Sequence, residues 1–492
     1  MNTQGMVGKK EKPAGYPYWR VIAVVYAAAL FALNFVRIFD NNFWGDEGYT
    51  IRLSMMSVPE MIEATALDVH PPLYYLVVQA VCKIFGFNGP SYHLASILPY
   101  GLILIFALTA VWKSFGKEAS FLLITFASIM RTAVQYNVEA RMYSLGALFV
   151  LLSFYGLYLV LMKNRCRDYV FFVLMSLAAA YTHYYSLITV AFFYIVLFFF
   201  SCVRRREYLK KTLWSCILTV LAYLPWFFIL LGSFKRTSDT YWMKSIPSIE
   251  ECFRFIFSSD YMEWVFIFVF VLCVIGYLFY SLRKIRANKS TELTADMDFK
   301  ELLFMAAGLL SIIGTMAVGI LVSMIIRPMF IVRYLFPAAL VAWFMIAIVV
   351  SKLKKKTVVC CILTAFTLLV CVPQYVDTYT KDRKDDRCLQ DTLALTKSEI
   401  GVEDTIYTTQ YHLDWTVLDY YYPGTHHKFM KNGGFPILKG EKPYWLILGS
   451  KMSPIFSHFI AIQDYKYEPV VEKGSLGTGT VYIYKLLPKK GH

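Results

Sequence analysis

Charge is scarce in this sequence. Of its 492 residues only 17% are Asp, Glu, Lys or Arg, where a soluble domain carries about a quarter. That shortage excludes a water-soluble enzyme, and it equally excludes a disordered chain, which needs charge and few apolar side chains. Cysteine excludes another class. Ten are present, but most lie inside apolar runs (Cys202, Cys216, Cys273, Cys360, Cys361, Cys371), where a thiol acts as a small hydrophobe. Only Cys252 and Cys388 fall in polar, external segments; one bridge between them is open, but two residues make no disulfide framework. Internal repeats and low-complexity tracts are missing too. What fills the chain is apolar: 58% hydrophobic and 17% aromatic residues, gathered into runs such as Leu102 to Trp112, Leu187 to Val203 and Ala338 to Val350. A hydrocarbon core about 30 Å thick demands such runs. The composition implies a polytopic membrane protein.

Acids are the scarcer sign, and the net charge of +15 first suggests a nucleic-acid partner. Its placement argues otherwise. The polar gaps alternate in character, and one set is basic: Lys9 to Arg20, Lys113 to Glu118, Lys163 to Asp168, Arg204 to Lys211, Arg283 to Glu301 and Lys352 to Lys356. Those gaps hold 23 Lys and Arg against eight acids, which accounts for the whole net charge. Basic loops mark the cytoplasmic side. The basicity is a topology signal, with no nucleic-acid surface in it.

After a polar, basic start, Val21 to Ile38 reads as an uncleaved signal-anchor helix. External loop 1 follows at 39–93. Within it Pro72 to Phe87 is apolar, but it is short, opens with Pro-Pro and contains Lys83. A helix lying in the outer interface fits it better than a span, which would turn every later basic gap outward. The remaining spans fall at approximately 94–112, 119–136, 143–162, 169–182, 184–202, 213–232, 264–282, 302–326, 334–351 and 357–373. The expectation is eleven spans, with the N-terminus cytoplasmic and the C-terminus outside. The membrane domain then covers 1–373, and 374–492 forms a small extracytoplasmic α/β domain. Its β-type runs are Thr405 to Thr409, Tyr444 to Leu448 and Thr480 to Leu486, with turn signals at Pro423-Gly424, Gly433-Gly434 and Gly474 to Gly479. Gly477-Thr478-Gly479 lacks the Lys and helix of a phosphate loop and reads as a hairpin turn.

Loop 1 carries the chemistry. It reads Asn41-Asn42-Phe43-Trp44-Gly45-Asp46-Glu47-Gly48-Tyr49, then Leu67-Asp68-Val69-His70-Pro71-Pro72-Leu73-Tyr74-Tyr75. Two adjacent acids beside a membrane helix, flanked by aromatics, place a carboxylate in a partly desolvated site suited to a general base. Alone, the pair is as readily a solvated loop with an N-cap acid. Other external turns weigh against that. Gln135 to Tyr143 includes Glu139 and Arg141, Tyr181 to Tyr185 includes His183, and Arg327 to Leu335 includes Arg327, Arg333 and Tyr334. Ionisable groups at membrane helix ends are costly and often functional. A single snorkelling Arg or interfacial His is usually structural, but four such turns on one side suggest an active site.

In order, Gly-Asp-Glu, Asp-x-His-Pro-Pro-Leu-Tyr-Tyr, Glu-Ala-Arg-x-Tyr, Thr-His-Tyr and Pro-x-Phe-x-x-Arg-Tyr-Leu resemble the C-type integral-membrane glycosyltransferases. The nearest branch is the family 39-like one, with the bacterial relatives of protein O-mannosyltransferases and of the lipid A aminoarabinose transferase. The likeness covers roughly residues 15–350. It implies a sugar donor on a polyprenyl phosphate, transfer on the extracytoplasmic face of the plasma membrane, and a protein, lipid or envelope glycan as acceptor. By the family's pattern Asp46 is the base, inversion is expected, and Glu47 binds sugar or acceptor. Arg333, Arg141 and Arg327 are the phosphate candidates, and His183 donates to the phosphate or a sugar hydroxyl. Asp68, His70, Glu139, Tyr143 and Tyr334 complete the substrate-binding set. Trp44, Tyr49, Tyr241 and Trp242 are candidates to stack on a sugar or border the prenyl groove, although for any one of them an ordinary interfacial-belt aromatic is the better reading.

No cofactor is required by this scheme, and no metal ligand is assigned. A divalent cation held by Asp68 and His70 with Asp46 or Glu47 stays open, since the spacing is not diagnostic. Cys82 and His93 suggest packing only. The rival functions are a transporter or flippase for a glycolipid, a scaffold derived from the enzyme fold, and an O-acyltransferase. A transporter should show repeats and mid-membrane charges, a scaffold need not keep Asp46-Glu47, and an acyltransferase needs an intramembrane His.

Overall fold

In the computed structural model the described residues are 16–203, 206–236, 245–258, 262–287, 292–410, 413, 417–430, 437–438, 442–477 and 479–489. Tyr241, Trp242, Gly433, Gly434 and Thr478 lie outside them. Among the described residues nine helices are long and apolar enough to cross a membrane: Tyr18–Phe39, Gly89–Phe115, Tyr143–Lys163, Tyr184–Cys202, Arg206–Gly232, Glu263–Lys284, Met297–Ile325, Val332–Ser351 and Lys356–Thr396. The protein is an integral membrane protein.

Two of the eleven expected spans come out shorter. Cys166–Thr182 has 17 residues, about 25 Å of helix at 1.5 Å per residue, and ends where His183 takes an extended backbone. The expected 119–136 span is broken. Lys117–Ile129 stops at Met130, whose ψ of 141° is extended, and the chain resumes as Arg131–Tyr136. The break is stabilised from outside the helix, because its orphaned carbonyls find side-chain donors. Asn137 Nδ2 donates to Ala127 O at 2.8 Å and Asn34 Nδ2 to Ser128 O at 3.0 Å. It also turns 131–142 across the end of the bundle, where Glu139 and Arg141 sit.

Loop 1 folds into three short helices, Gly45–Met55, Val58–Leu67 and Leu73–Phe85. The last is the expected apolar segment, at 13 residues too short to span. It buries Tyr74, Tyr75, Val78 and Cys82 while Ile84 and Phe85 stay exposed, as an interfacial helix should. Val332–Ser351 is the central helix: its apolar window is buried throughout. Its first turn holds Arg333 at the same end of the bundle.

The basic gaps gather at the other end. Lys356 pairs with Glu118 at 3.7 Å, Lys352 with Glu301 at 2.5 Å and Lys284 with Asp298 at 2.5 Å. Lys211 Nζ donates to Asn164 O at 2.6 Å.

The expected boundary at 373/374 falls inside a helix. Lys356–Thr396 runs for 41 residues through Pro373, and its Leu389 and Leu393 enter the core of the C-terminal sheet beside Trp445 and Ile483. The strands are β1 (Thr405–Thr408), β2 (His426–Phe429), β3 (Tyr444–Leu448), β4 (Tyr465–Leu476) and β5 (Gly479–Pro488), in the order β2-β1-β3-β5-β4. β1 pairs in parallel with β2 and β3, while β5 is antiparallel to β3 and β4. Leu476 faces Gly479 across the expected hairpin turn, with Gly477 at φ +58°. The Cys252–Cys388 bridge does not form: both thiols are free, and Cys252 is buried in the membrane core.

Candidate active site

Asp46 is the second residue of helix Gly45–Met55, so its carboxylate sits where a helix N-terminus favours negative charge. The helix starts there because Glu47, one place on, reaches back to accept from Trp44 N at 3.3 Å, satisfying an orphan donor. Asp46 keeps 35% of its side chain exposed. Arg333 Nη2 donates to its Oδ2 at 2.9 Å, and Arg141 Nη2 lies 3.9 Å from the same oxygen. Arg141 is almost wholly enclosed, with 2% of its side chain exposed. Its Nη1 donates to Asp46 O at 3.1 Å and to Thr50 Oγ1 and the Tyr75 hydroxyl oxygen, both at 3.4 Å. The Arg333 guanidinium carbon stands 4.9 Å from the centre of the Trp44 ring, a cation–π distance. Loop 1, the turn after the Met130 break and the first turn of the central helix thus meet on one carboxylate.

Glu47 points elsewhere. It is buried, and its Oε1 accepts from Ala140 N at 2.7 Å with His93 Nδ1 3.7 Å away. Expected to bind sugar or acceptor, it instead ties the Asp46 helix to the turn carrying Arg141. Burial pushes its carboxyl up to about 7, against two backbone donors and Arg141. Glu139 is also buried; burial first, then the nearby Glu47 charge, push it up to about 8. Glu139 Oε1, Arg141 Nε, Tyr143 OH and Arg333 Nε are all buried without a hydrogen-bond partner among the described residues. Buried polar groups left open in this way need an explanation, and a ligand is one.

On the other flank Asp68 Oδ2 lies 3.3 Å from His70 Nδ1. Burial raises the Asp68 carboxyl, but the His70 bond and charge leave it below the usual carboxylate range. His70 stands 5.8 Å ring to ring from His183. Burial, then the positive charge of His70, Arg141 and Arg333, hold His183 well below an ordinary imidazole. Its Nδ1 accepts from Tyr185 N at 3.2 Å, which assigns the neutral ring's proton to Nε2. Tyr334 packs against His183 and Tyr185 at 4.8 and 4.9 Å, and Tyr49 stands edge-on to Tyr75. Arg327 is half-buried in the connection that precedes the central helix. Among the described residues no three His, Cys, Asp or Glu side chains are grouped to hold a metal ion.

Residues 69–229 match the model of the dolichyl-phosphate-mannose-protein mannosyltransferase family. No curated protein matches the chain. Among solved structures, ArnT from Cupriavidus metallidurans in the apo state is similar at a TM-score of 0.61 and 13% identity, over 94% of this chain and 98% of that one. ArnT from the same organism bound to undecaprenyl phosphate gives 0.55 at 13% identity, over 96% and 98%. The chain shares its fold with ArnT. The expected membrane-helix bundle with a small C-terminal α/β domain is therefore the fold present. The family match contains His70, Glu139, Arg141, Tyr143 and His183. Asp46 and Arg333 lie on either side of it, and the ArnT-like fold brings them together.

Three groups at this site escaped the sequence. Thr50 and Tyr75 brace Arg141. His93, expected only to pack, places both ring nitrogens 2.9 Å from backbone carbonyls, of Val138 and Asp40. Thr50 was findable, since it lies four residues after Asp46 on one helix face. His93 carried no local signal.

Proposed function

We propose that this protein transfers a sugar from a polyprenyl-phosphate donor to an acceptor hydroxyl on the extracytoplasmic side of the plasma membrane. The observation that carries the reading is a single open carboxylate, Asp46, held between two guanidiniums at the end of a membrane bundle. A glycosidase needs two working carboxyls because its leaving group must be protonated. Here the second acid, Glu47, has its oxygens on backbone N–H groups. One carboxylate suffices when the leaving group is already a phosphate monoester anion, provided positive charge meets it. Arg333 and Arg141, both beside Asp46, supply that charge in this reading. As the donor phosphate draws Arg333, the Asp46 carboxylate is released to take the acceptor proton. Attack then comes from the face opposite the phosphate and inverts the anomeric carbon.

His183 Nε2–H donates to the phosphate or a sugar hydroxyl. Glu139, protonated at neutral pH by its burial, and Tyr143 OH supply further donors to the sugar. The undecaprenyl phosphate bound by ArnT supports a polyprenyl-phosphate donor. The acceptor is a protein, lipid or envelope glycan. The test is sugar release in native membranes from a panel of radiolabelled polyprenyl-phosphate sugars. Turnover of one donor by wild type and none by Asp46→Asn supports the reading; no turnover of any donor by folded protein overturns it.

A further inference from the structure

Six residues, 40–45, separate the end of the first membrane helix from Asp46. They set where the carboxylate sits, yet 40–44 form no helix or strand of their own, and Gly45 opens the Asp46 helix. Much of what holds them comes from the far end of the chain. Upstream, Arg37 Nη2 pairs with Asp382 at 2.9 Å. Asn41 N donates to Asp386 Oδ1 at 3.1 Å, and Asn42 Nδ2 donates to Ser475 Oγ at 3.3 Å. The Tyr421 hydroxyl accepts from Phe43 N at 3.2 Å and donates to Asn41 O at 2.7 Å, bracing both sides of one tight turn. The Phe43 ring is wholly buried, stacked on His93 at 5.0 Å and edge-on to Tyr420 at 5.3 Å. Gly477 closes over it: at φ +58° it has no Cβ, and one placed there would stand 3.2 Å from Phe43 O.

We infer that the C-terminal domain positions the Asp46 loop, with Tyr421 as the positioning residue. The inference rests on the transferase reading above. Tyr421 contacts the loop backbone through a rigid ring and a single hydroxyl, and it touches neither arginine. It therefore acts on the placement of the carboxylate while the groups assigned to donor phosphate stay as they are. Placement within about 0.5 Å is what a catalytic group requires, and a 1 Å error costs on the order of a hundredfold in rate.

The test uses the full-length protein in the sugar-transfer assay. Tyr421→Phe removes both hydrogen bonds and keeps the ring. Expected is a kcat lower by about ten- to a hundredfold, with donor KM within twofold of wild type. Ser475→Ala, which removes only the Asn42 bond, is expected to lower kcat less, again at constant KM. Tyr467→Phe, on the same domain but away from the loop, is expected to match wild type. A raised donor KM at unchanged kcat overturns the inference, since it assigns Tyr421 to donor binding. A lower thermal midpoint with unchanged kcat per folded molecule overturns it too, leaving a purely structural role. Wild-type kinetics in Tyr421→Phe while Asp46→Asn is inactive overturns the inference alone. Full activity in Asp46→Asn overturns the transferase base assignment and the positioning claim with it.

Discussion

The two ends of the helix bundle both carry ion pairs, and they use them differently. At the basic end each cation stays partly exposed, even where Asp168 and Asp298 are buried, and the pairs close across single connections or neighbouring helices: Arg165 with Asp168 at i,i+3, Lys284 with Asp298, Lys352 with Glu301. The Lys352–Glu301 pair, partly exposed on both sides, contributes about 0–1 kcal/mol. At the other end Asp46 meets Arg141 and Arg333 from 95 and 287 residues away. Burying charge while leaving Glu139 Oε1, Arg141 Nε and Arg333 Nε without partners among the described residues costs stability. That cost falls where the transfer site is proposed.

The sharpest break in the comparison comes from Asp46→Asn. Loss of the base is expected to reduce sugar transfer by about 10²–10⁴-fold, measured as initial rate in membranes, with the folded yield unchanged. Arg333→Lys comes next. It keeps the charge but loses the planar fork and the stack on Trp44. A ten- to hundredfold fall in kcat/KM for the donor is expected; a variant as active as wild type would remove Arg333 from phosphate binding.

The buried acids behind the site add a pH signature. Glu139 and Glu47 hold protons in the folded protein up to about 8 and about 7, while their ordinary value is 4.5. Between those limits the folded state binds protons that the unfolded chain has released. Stability from this pair is thus fullest below pH 4.5 and is lost as pH rises toward 8. The thermal midpoint in detergent should fall across that window, and Glu139→Gln should flatten the fall. A wild-type midpoint independent of pH from 5 to 8 would show that neither acid is buried in its neutral form.

The residues that meet at Asp46 were legible because each is an ionisable group at the end of an apolar run, where composition makes it conspicuous. Side-chain direction was not. Asp46 and Glu47 are adjacent and alike, and only the cap to Trp44 and the bond to Ala140 separate an open carboxylate from a strut. The break at Met130 hid inside an apolar stretch because its stabilising donor, Asn34, lies 94 residues from Ser128. β4 hid for the opposite reason. It contains Pro469 and Gly474, which argue against a strand, but it is an edge strand with irregular register at those residues, where both are tolerated. The hold of Tyr421 on Phe43 spans 378 residues, and nothing local announces it.

The smallest effect belongs to the basic end. Lys352→Met removes an ammonium 2.5 Å from Glu301, where the two side chains are 25% and 32% exposed. Glu301 keeps access to solvent, so its charge is not stranded as it would be in a dry interior. The aliphatic stem of Met preserves the packing that the Lys stem provides. The expected cost is about 1 kcal/mol or less, and less still at high salt, with transfer rates within twofold of wild type. A loss of activity comparable to that of Arg333→Lys would mean that the two ends are coupled through the central helix, which runs from Arg333 to Lys352, and would erase the distinction drawn between them.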